Sequence, residues 1–207
     1  MIHDYDERTK TRYQVWHNDR RLEGVITHFV ETERPSCFVE TGTHMGWTAA
    51  WMAARFPWLP IFTVEVDDGF FALSSHNVAE FPTVANSKMG SVVFLEKLVP
   101  MLMGGKPMFW LDAHWWPPEP LRDECAIVSK LPKYVAFIDD FQCKSPDFHG
   151  DTFNYGRDPV CLSYVADILG ASCWRPDYPP EQGNVGYGMF IKNVAYTPPR
   201  HMKMDRL

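Results

Sequence analysis

Five carboxylates stand where short apolar runs of the chain end. Glu40 closes Cys37-Phe38-Val39, Glu65 stands within Ile61 to Val66, Asp112 follows Met108 to Leu111, and the pair Asp139-Asp140 follows Tyr134 to Ile138. Clustered carboxylates repel one another and cost free energy unless something cationic or hydroxyl-bearing satisfies them. If the runs are strands of one parallel sheet, these acids share its carboxyl edge, where open parallel sheets bind ligands. A small-residue turn, Thr41-Gly42-Thr43-His44-Met45-Gly46, follows the first acid and leads into a helical pattern from Trp47 to Phe56. Glycines let the backbone turn tightly and approach a ligand, and a helix N-terminus presents free N–H groups. The spacing is E-x-G-x-x-x-G, not the dinucleotide form G-x-G-x-x-G. An ordinary strand-to-helix turn has the same glycines, so the acids must decide between the readings.

Glu65, at the end of the second predicted strand, stands where an acid accepts hydrogen bonds from ribose hydroxyls. The plain alternative is a neighbour of a helix cap, with Asp67 or Asp68 as the cap itself. Glu40 would repel a pyrophosphate and tolerate a cation. That favours a nucleoside carrying a positive charge over NAD, and S-adenosylmethionine is the common one. Asp112, Asp139 and Asp140 come from neighbouring strands and have no Lys or Arg in their motifs. They suggest a hard divalent cation, Mg²⁺, which takes oxygen ligands and could acidify a bound hydroxyl. The alternative is that Asp139 or Asp140 caps the next loop. His114, two residues after Asp112, has a side chain that titrates near neutrality and is a candidate general base, or else a packed ring. Lys144 is a second candidate, for the base or for a substrate carboxylate. Trp115, Trp116 and Trp47 could wall an aromatic substrate or the adenine, though Trp47 reads more readily as core, and Phe148, Phe153 and Tyr155 could be lid residues or surface packing.

The elements that must position these residues follow from apolar patterning. A helix is expected from about 8 to 32, ended by Glu33-Arg34-Pro35. Strands are expected at 36–40, 61–66, 83–89, 108–111 and 134–138. Helices are expected at 47–56, 69–79, 91–103, 120–131 and 160–169. Strands apolar throughout and alternating with helices make a parallel sheet covered on both faces. Cys173 to Tyr178 and Tyr187 to Lys192 are expected to close the sheet as an antiparallel pair. The expectation is therefore an α/β, Rossmann-like, doubly wound, mostly parallel sheet with an antiparallel C-terminal hairpin and an added N-terminal helix. It divides into an N-terminal helical extension (1–34), a cofactor-binding core (35–141), a substrate loop and hairpin (142–197) and a frayed tail (198–207).

The bulk properties bound the function. The 207 residues suffice for one domain, and a net charge of −6 argues against a protein that coats nucleic acid. No N/D-P-P-Y-type motif of amino-group methylation is present. The start MIHDYDERTK has no apolar h-region, and no apolar run approaches the length of a membrane span. Five scattered cysteines without a C-x-x-C pair read as reduced thiols, which places the chain in the cytoplasm by default.

The runs ETGTHMGWTAAWMA, FTVEVDD, MGSVVFLEKL, MFWLDAHW and AFIDDF together resemble the class I S-adenosylmethionine-dependent methyltransferases, over Cys37 to Phe141. Within that superfamily, LDAHW followed by IDD resembles the metal-dependent O-methyltransferases of the catechol and macrolide-sugar type, and also a group of bacterial methyltransferase-like proteins. The resemblance implies that Glu40, Gly42, Thr43 and Gly46 surround the methionine part of the cofactor. It further implies that Glu65 binds the ribose, that Gly90 and Ser91 lie near the adenine, and that Asp112, Asp139 and Asp140 hold the metal. The chain departs from the catechol type, which has a lysine base shortly after the strand-four aspartate, where His114, Trp115 and Trp116 stand here. The expected activity is methyl transfer from S-adenosylmethionine to an oxygen of a small molecule with adjacent oxygens, assisted by a divalent metal, in a protein that could be a homodimer. The rival readings are a metal-dependent hydroxylase or hydrolase on the same sheet, and a cofactor-binding protein without transfer chemistry.

Overall fold

The structure, a computed structural model, describes residues 15–113, 119–142, 160–178 and 186–205, with two short backbone stretches before them, Tyr5–Asp6 and Thr11–Arg12, which pair antiparallel. Five strands run in the order expected: β1 (Phe38–Thr41), β2 (Ile61–Glu65), β3 (Val84–Lys88), β4 (Met108–Leu111) and β5 (Tyr134–Asp139). Between and around them lie α1 (Arg20–Glu33), α2 (Trp47–Arg55), α3 (Asp68–Val78), α4 (Ser91–Leu98) and α5 (Leu121–Val128). The chain then adds α6 (Leu162–Leu169), β6 (Ser172–Pro176), β7 (Tyr187–Lys192) and β8 (Met202–Asp205). The sheet order is β8-β6-β7-β5-β4-β1-β2-β3. The strands from β3 to β5 are parallel; β7 inserts antiparallel beside β5, and β6 and β8 continue antiparallel. The doubly wound α/β expectation holds, including the closing hairpin.

Side-chain alternation splits the core in two. Phe38, Trp110, Val135 and Phe137 point to one face, where they meet α1 and α2. Val39, Phe109, Leu111, Ala136 and Ile138 point to the other, against α4, α5 and α6. The same alternation sends Glu40 to the side of Phe38 and Asp139 to the side of Phe137. Register aligns the strand ends, because Thr41 pairs with both Val64 and Leu111, and Leu111 pairs with Ile138. The strand-end acids therefore do share one edge, and the order reverses between β1 and β4, the usual place for a ligand crevice.

Three local differences from the sequence expectation have clear causes. The N-terminal helix begins at Arg20, not near residue 8. Asp19 caps it by accepting from the backbone N–H groups of Arg21 (2.8 Å) and Leu22 (3.1 Å), and Val15–Asn18 form a separate 3₁₀ turn. Helix α4 ends at Leu98, and Val99–Leu102 tighten into a 3₁₀ turn with Pro100 at its start. The tail is not frayed: β8 pairs with β6, Met202 is buried, and Asp205 accepts from Arg175 Nε (2.6 Å) and Nη2 (3.0 Å). No described helix is long and apolar enough to cross a membrane.

Candidate functional site

The glycine turn packs against the neighbouring strand rather than standing open. Gly42 has φ +82, and a β-carbon there would lie 2.4 Å from the carbonyl oxygen of Asp112. Gly46 has φ +79, with Ser74 and Val78 of α3 at 3.1–3.2 Å from an added β-carbon. Both glycines are thus demanded by the fold itself, which keeps β1, the turn and β4 in close contact. The turn is pinned by the N–H groups of Gly42 and Thr43, both donating to Val64 O at 3.1 Å.

Two acids flank this turn. Glu65, almost buried at the end of β2, accepts from the backbone N–H of His44 at 2.7 Å and of Asp67 at 2.8 Å. Asp67 is in turn the N-cap of α3, accepting from Phe70 N–H at 2.9 Å. Asp67 is therefore the cap and Glu65 its neighbour, the arrangement the plain alternative expects, with both Glu65 oxygens engaged by backbone N–H groups. The next residue, Val66, is 66% exposed, an apolar surface beside the acid. The His44 and Phe70 rings meet at 4.2 Å on the same side, and burial lowers the His44 pKa against the pull of the Glu65 charge. Gly90 caps α4 in extended backbone, an added β-carbon there would meet nothing within 4 Å, and Ser91 begins the helix nearly buried.

Glu40 is 2% exposed and has Thr63 Oγ1 donating to it at 2.6 Å, with Thr43 Oγ1 a further 2.5 Å from Thr63 Oγ1. Burial pushes its pKa up to about 8; the hydroxyls of Thr63 and Thr48 work against that, and the Glu65 charge adds to it. An acid so placed, with threonine hydroxyls donating to it, fits a pocket that receives a positive group. The residues present therefore fit S-adenosylmethionine, whose sulfonium and amino groups carry positive charge.

The β4–β5 side is arranged differently. The backbone N–H of Asp112 donates to Thr41 O (3.1 Å) and Thr41 Oγ1 (3.2 Å), tying the end of β4 to β1. Asp139 and Asp140 are both buried, and Asp140 has left-handed backbone, φ 54. Asp139 Oδ2 accepts a hydrogen bond from His17 Nε2 at 2.7 Å. Burial disfavours a charged His17, but the Asp139 charge and hydrogen bond, with Asp140 and Asp19 behind them, outweigh it and raise His17 to about 9. His17 is a site residue that sequence reasoning missed. The readable signal was Asp19: as a helix cap it places His17 in the turn before α1, not inside a helix.

The expected metal set is not assembled. Among the described residues no group of three or more His, Cys, Asp or Glu side chains is placed to hold a metal, so Asp112, Asp139 and Asp140 do not converge as ligands. A cation would have to compete with His17 for Asp139. The residues present therefore do not fit the expected divalent metal. His114, Lys144, Trp115, Trp116, Phe148, Phe153 and Tyr155 lie outside the described residues. Trp47 opens α2 beside the glycine turn.

No protein-family model and no curated protein sequence matches the chain. Solved structures do share its fold. An O-methyltransferase family protein from Burkholderia thailandensis is 11% identical with a TM-score of 0.54, over 85% of this chain and 57% of that one, so the chain spans little more than half of its length. An O-methyltransferase from Bacillus cereus in complex with SAH is 15% identical with a TM-score of 0.55, over 83% of this chain and 81% of that one. The O-methyltransferase TomG from Streptomyces achromogenes, in complex with SAM, is 18% identical with a TM-score of 0.55, over 83% and 80%. At these identities the likeness is one of fold, which the chain shares with these O-methyltransferases.

Proposed function

We propose that the protein is an S-adenosylmethionine-dependent O-methyltransferase acting on a small molecule. The observation that carries this reading is the pair Glu40 and Glu65 on either side of the glycine turn, one a buried acid of raised pKa and the other a fixed acceptor with an exposed apolar neighbour. The fold shared with O-methyltransferases in complex with SAM and SAH supports it.

In this reading Glu40, Gly42, Thr43 and Gly46 surround the methionine part, Glu65 accepts from the ribose hydroxyls, and Gly90 and Ser91 lie beside the adenine. When bound, the cofactor supplies a methyl group on a sulfonium that an oxygen can displace. The chain's own contribution is to hold the two reactants in line, which supplies much of the acceleration in such transfers. Fixed backbone N–H groups on Glu65 and hydroxyls on Glu40 keep both acids in place before the ligand arrives. Asp112 belongs to the acceptor side by its position at the end of β4. His114 takes the acceptor's proton in this scheme, with Lys144 as the alternative. The expected Mg²⁺ has no step here, because His17 engages Asp139.

Calorimetric titration with S-adenosylmethionine and S-adenosylhomocysteine tests the reading. Micromolar binding of either, weakened by Glu65→Gln, is expected. Absence of binding by both ligands would overturn it.

A further inference from the structure

Trp16, His17 and Asn18 all hold left-handed backbone, with φ of 54°, 52° and 57°. That region is unfavourable for residues with a β-carbon, and three in succession persist only where surrounding contacts over-determine them. Those contacts are present on both sides of His17. Before it, Trp16 is 2% exposed and sits edge-on to Trp110 (4.9 Å) and Trp51 (5.6 Å). After it, buried Asp19 caps α1 and accepts from the Tyr178 hydroxyl at 3.0 Å. Clamped at both ends, the turn delivers Nε2 of His17 to the buried carboxylate of Asp139.

That carboxylate is one a divalent cation would need. A hard cation requires several oxygen ligands at once. Here one Asp139 oxygen is taken by His17, and among the described residues the other accepts no hydrogen bond. We propose that His17 takes the place of a divalent cation at the strand-end acid pair, so that the N-terminal turn excludes metal from this edge of the sheet. The inference concerns the acid pair alone and stands or falls independently of methyl transfer.

The test is Mn²⁺ binding to the full chain, followed by electron paramagnetic resonance of free Mn²⁺, without cofactor or substrate. The wild type is expected to show no Mn²⁺ site that Asp139→Asn removes. His17→Ala is expected to bind Mn²⁺ at least tenfold more tightly than the wild type, and the double variant with Asp139→Asn to lose that gain. A wild-type site that Asp139→Asn abolishes would overturn the proposal, as would a folded His17→Ala protein with no gain. If His17→Ala does not fold, His17→Gln serves in its place, and the wild-type titration decides by itself whether a metal site is already present. A merely structural His17 would change stability without changing Mn²⁺ affinity.

Discussion

Glu65 and Asp139 end parallel strands at the same edge of the sheet, yet their carboxylates are satisfied over very different lengths of chain. Glu65 is held by N–H groups 21 and 2 residues away, and Glu40 by a hydroxyl 23 residues away. Asp139 is held by His17, 122 residues away. The β1–β2 side is a self-contained strand-turn-helix unit. The β4–β5 side is completed by a segment from the far end of the chain. The acids of the first side are therefore held by partners close in sequence, whereas Asp139 of the second depends on the docking of Val15–Asp19.

Substitutions can separate the two sides. Trp16→Ala should cost the most, about 3–5 kcal/mol by the usual cost of emptying a buried tryptophan site. It should undock the N-terminal turn and lower S-adenosylmethionine affinity less than Glu65→Gln does, because Trp16 reaches the glycine turn only through its contacts with Trp51 of α2 and Phe38 of β1. Urea unfolding and calorimetry measure both, and a loss below about 1 kcal/mol would show that the turn is not anchored there. Gly42→Ala should cost roughly 2–4 kcal/mol, from left-handed backbone and the clash with Asp112 O. Because Gly42 joins the two sides, it should impair both stability and cofactor binding. Glu65→Gln should weaken cofactor binding by about 1.5–3 kcal/mol, the range for hydrogen bonds to a charged group. That loss should be equal in wild-type and His17→Ala backgrounds. An unequal loss would mean that the two sides are coupled.

In pH dependence the two sides separate by window. Glu40 titrates at about 8 in the fold against an ordinary 4.5, so the fold favours its protonated form. Its contribution is fully present below about 4.5 and is lost as pH rises through about 8. His17 titrates at about 9 against 6.5, so its contribution is present below 6.5 and is lost as pH rises through about 9. Thermal unfolding from pH 4 to 10 should show Glu40→Gln flattening the lower window and His17→Ala the upper one. Profiles unchanged by either variant would contradict both assignments. The raised Glu40 also implies proton release when a cationic ligand binds near neutral pH, readable as buffer-dependent binding enthalpy.

The same contrast explains what was legible in the sequence. Apolar runs ending in acids located β1, β2, β4 and β5, and the glycine turn located the start of α2, because each signal lies within a few residues of what it specifies. Met202 and Asp205 lacked such a signal: a four-residue strand becomes one only because Arg175 and the edge of β6 are beside it. His17 was hidden for the same reason. Its partner is specified by the sheet, not by any neighbouring residue, and the apolar stripe through Val15 and Trp16 made the turn look like helix. Asp112, Asp139 and Asp140 were legible as residues of the edge but not as a geometry, since spacing along the chain does not say which way side chains converge.

The clamped turn before α1 also fixes an order of events. Val15 to Asp19 are translated before their partners: Asp139 and Tyr178 follow 122 and 159 residues behind His17 and Asp19. Synthesis adds residues one by one, so the strand-turn-helix unit around Gly42 can form while most of the chain is still being made. The N-terminal turn must then wait until β5 and the segment after β6 emerge. This turn, translated well before its partners, is thus among the last stretches to find its place, and a nascent chain stalled before Tyr178 would have its glycine turn without its closing latch.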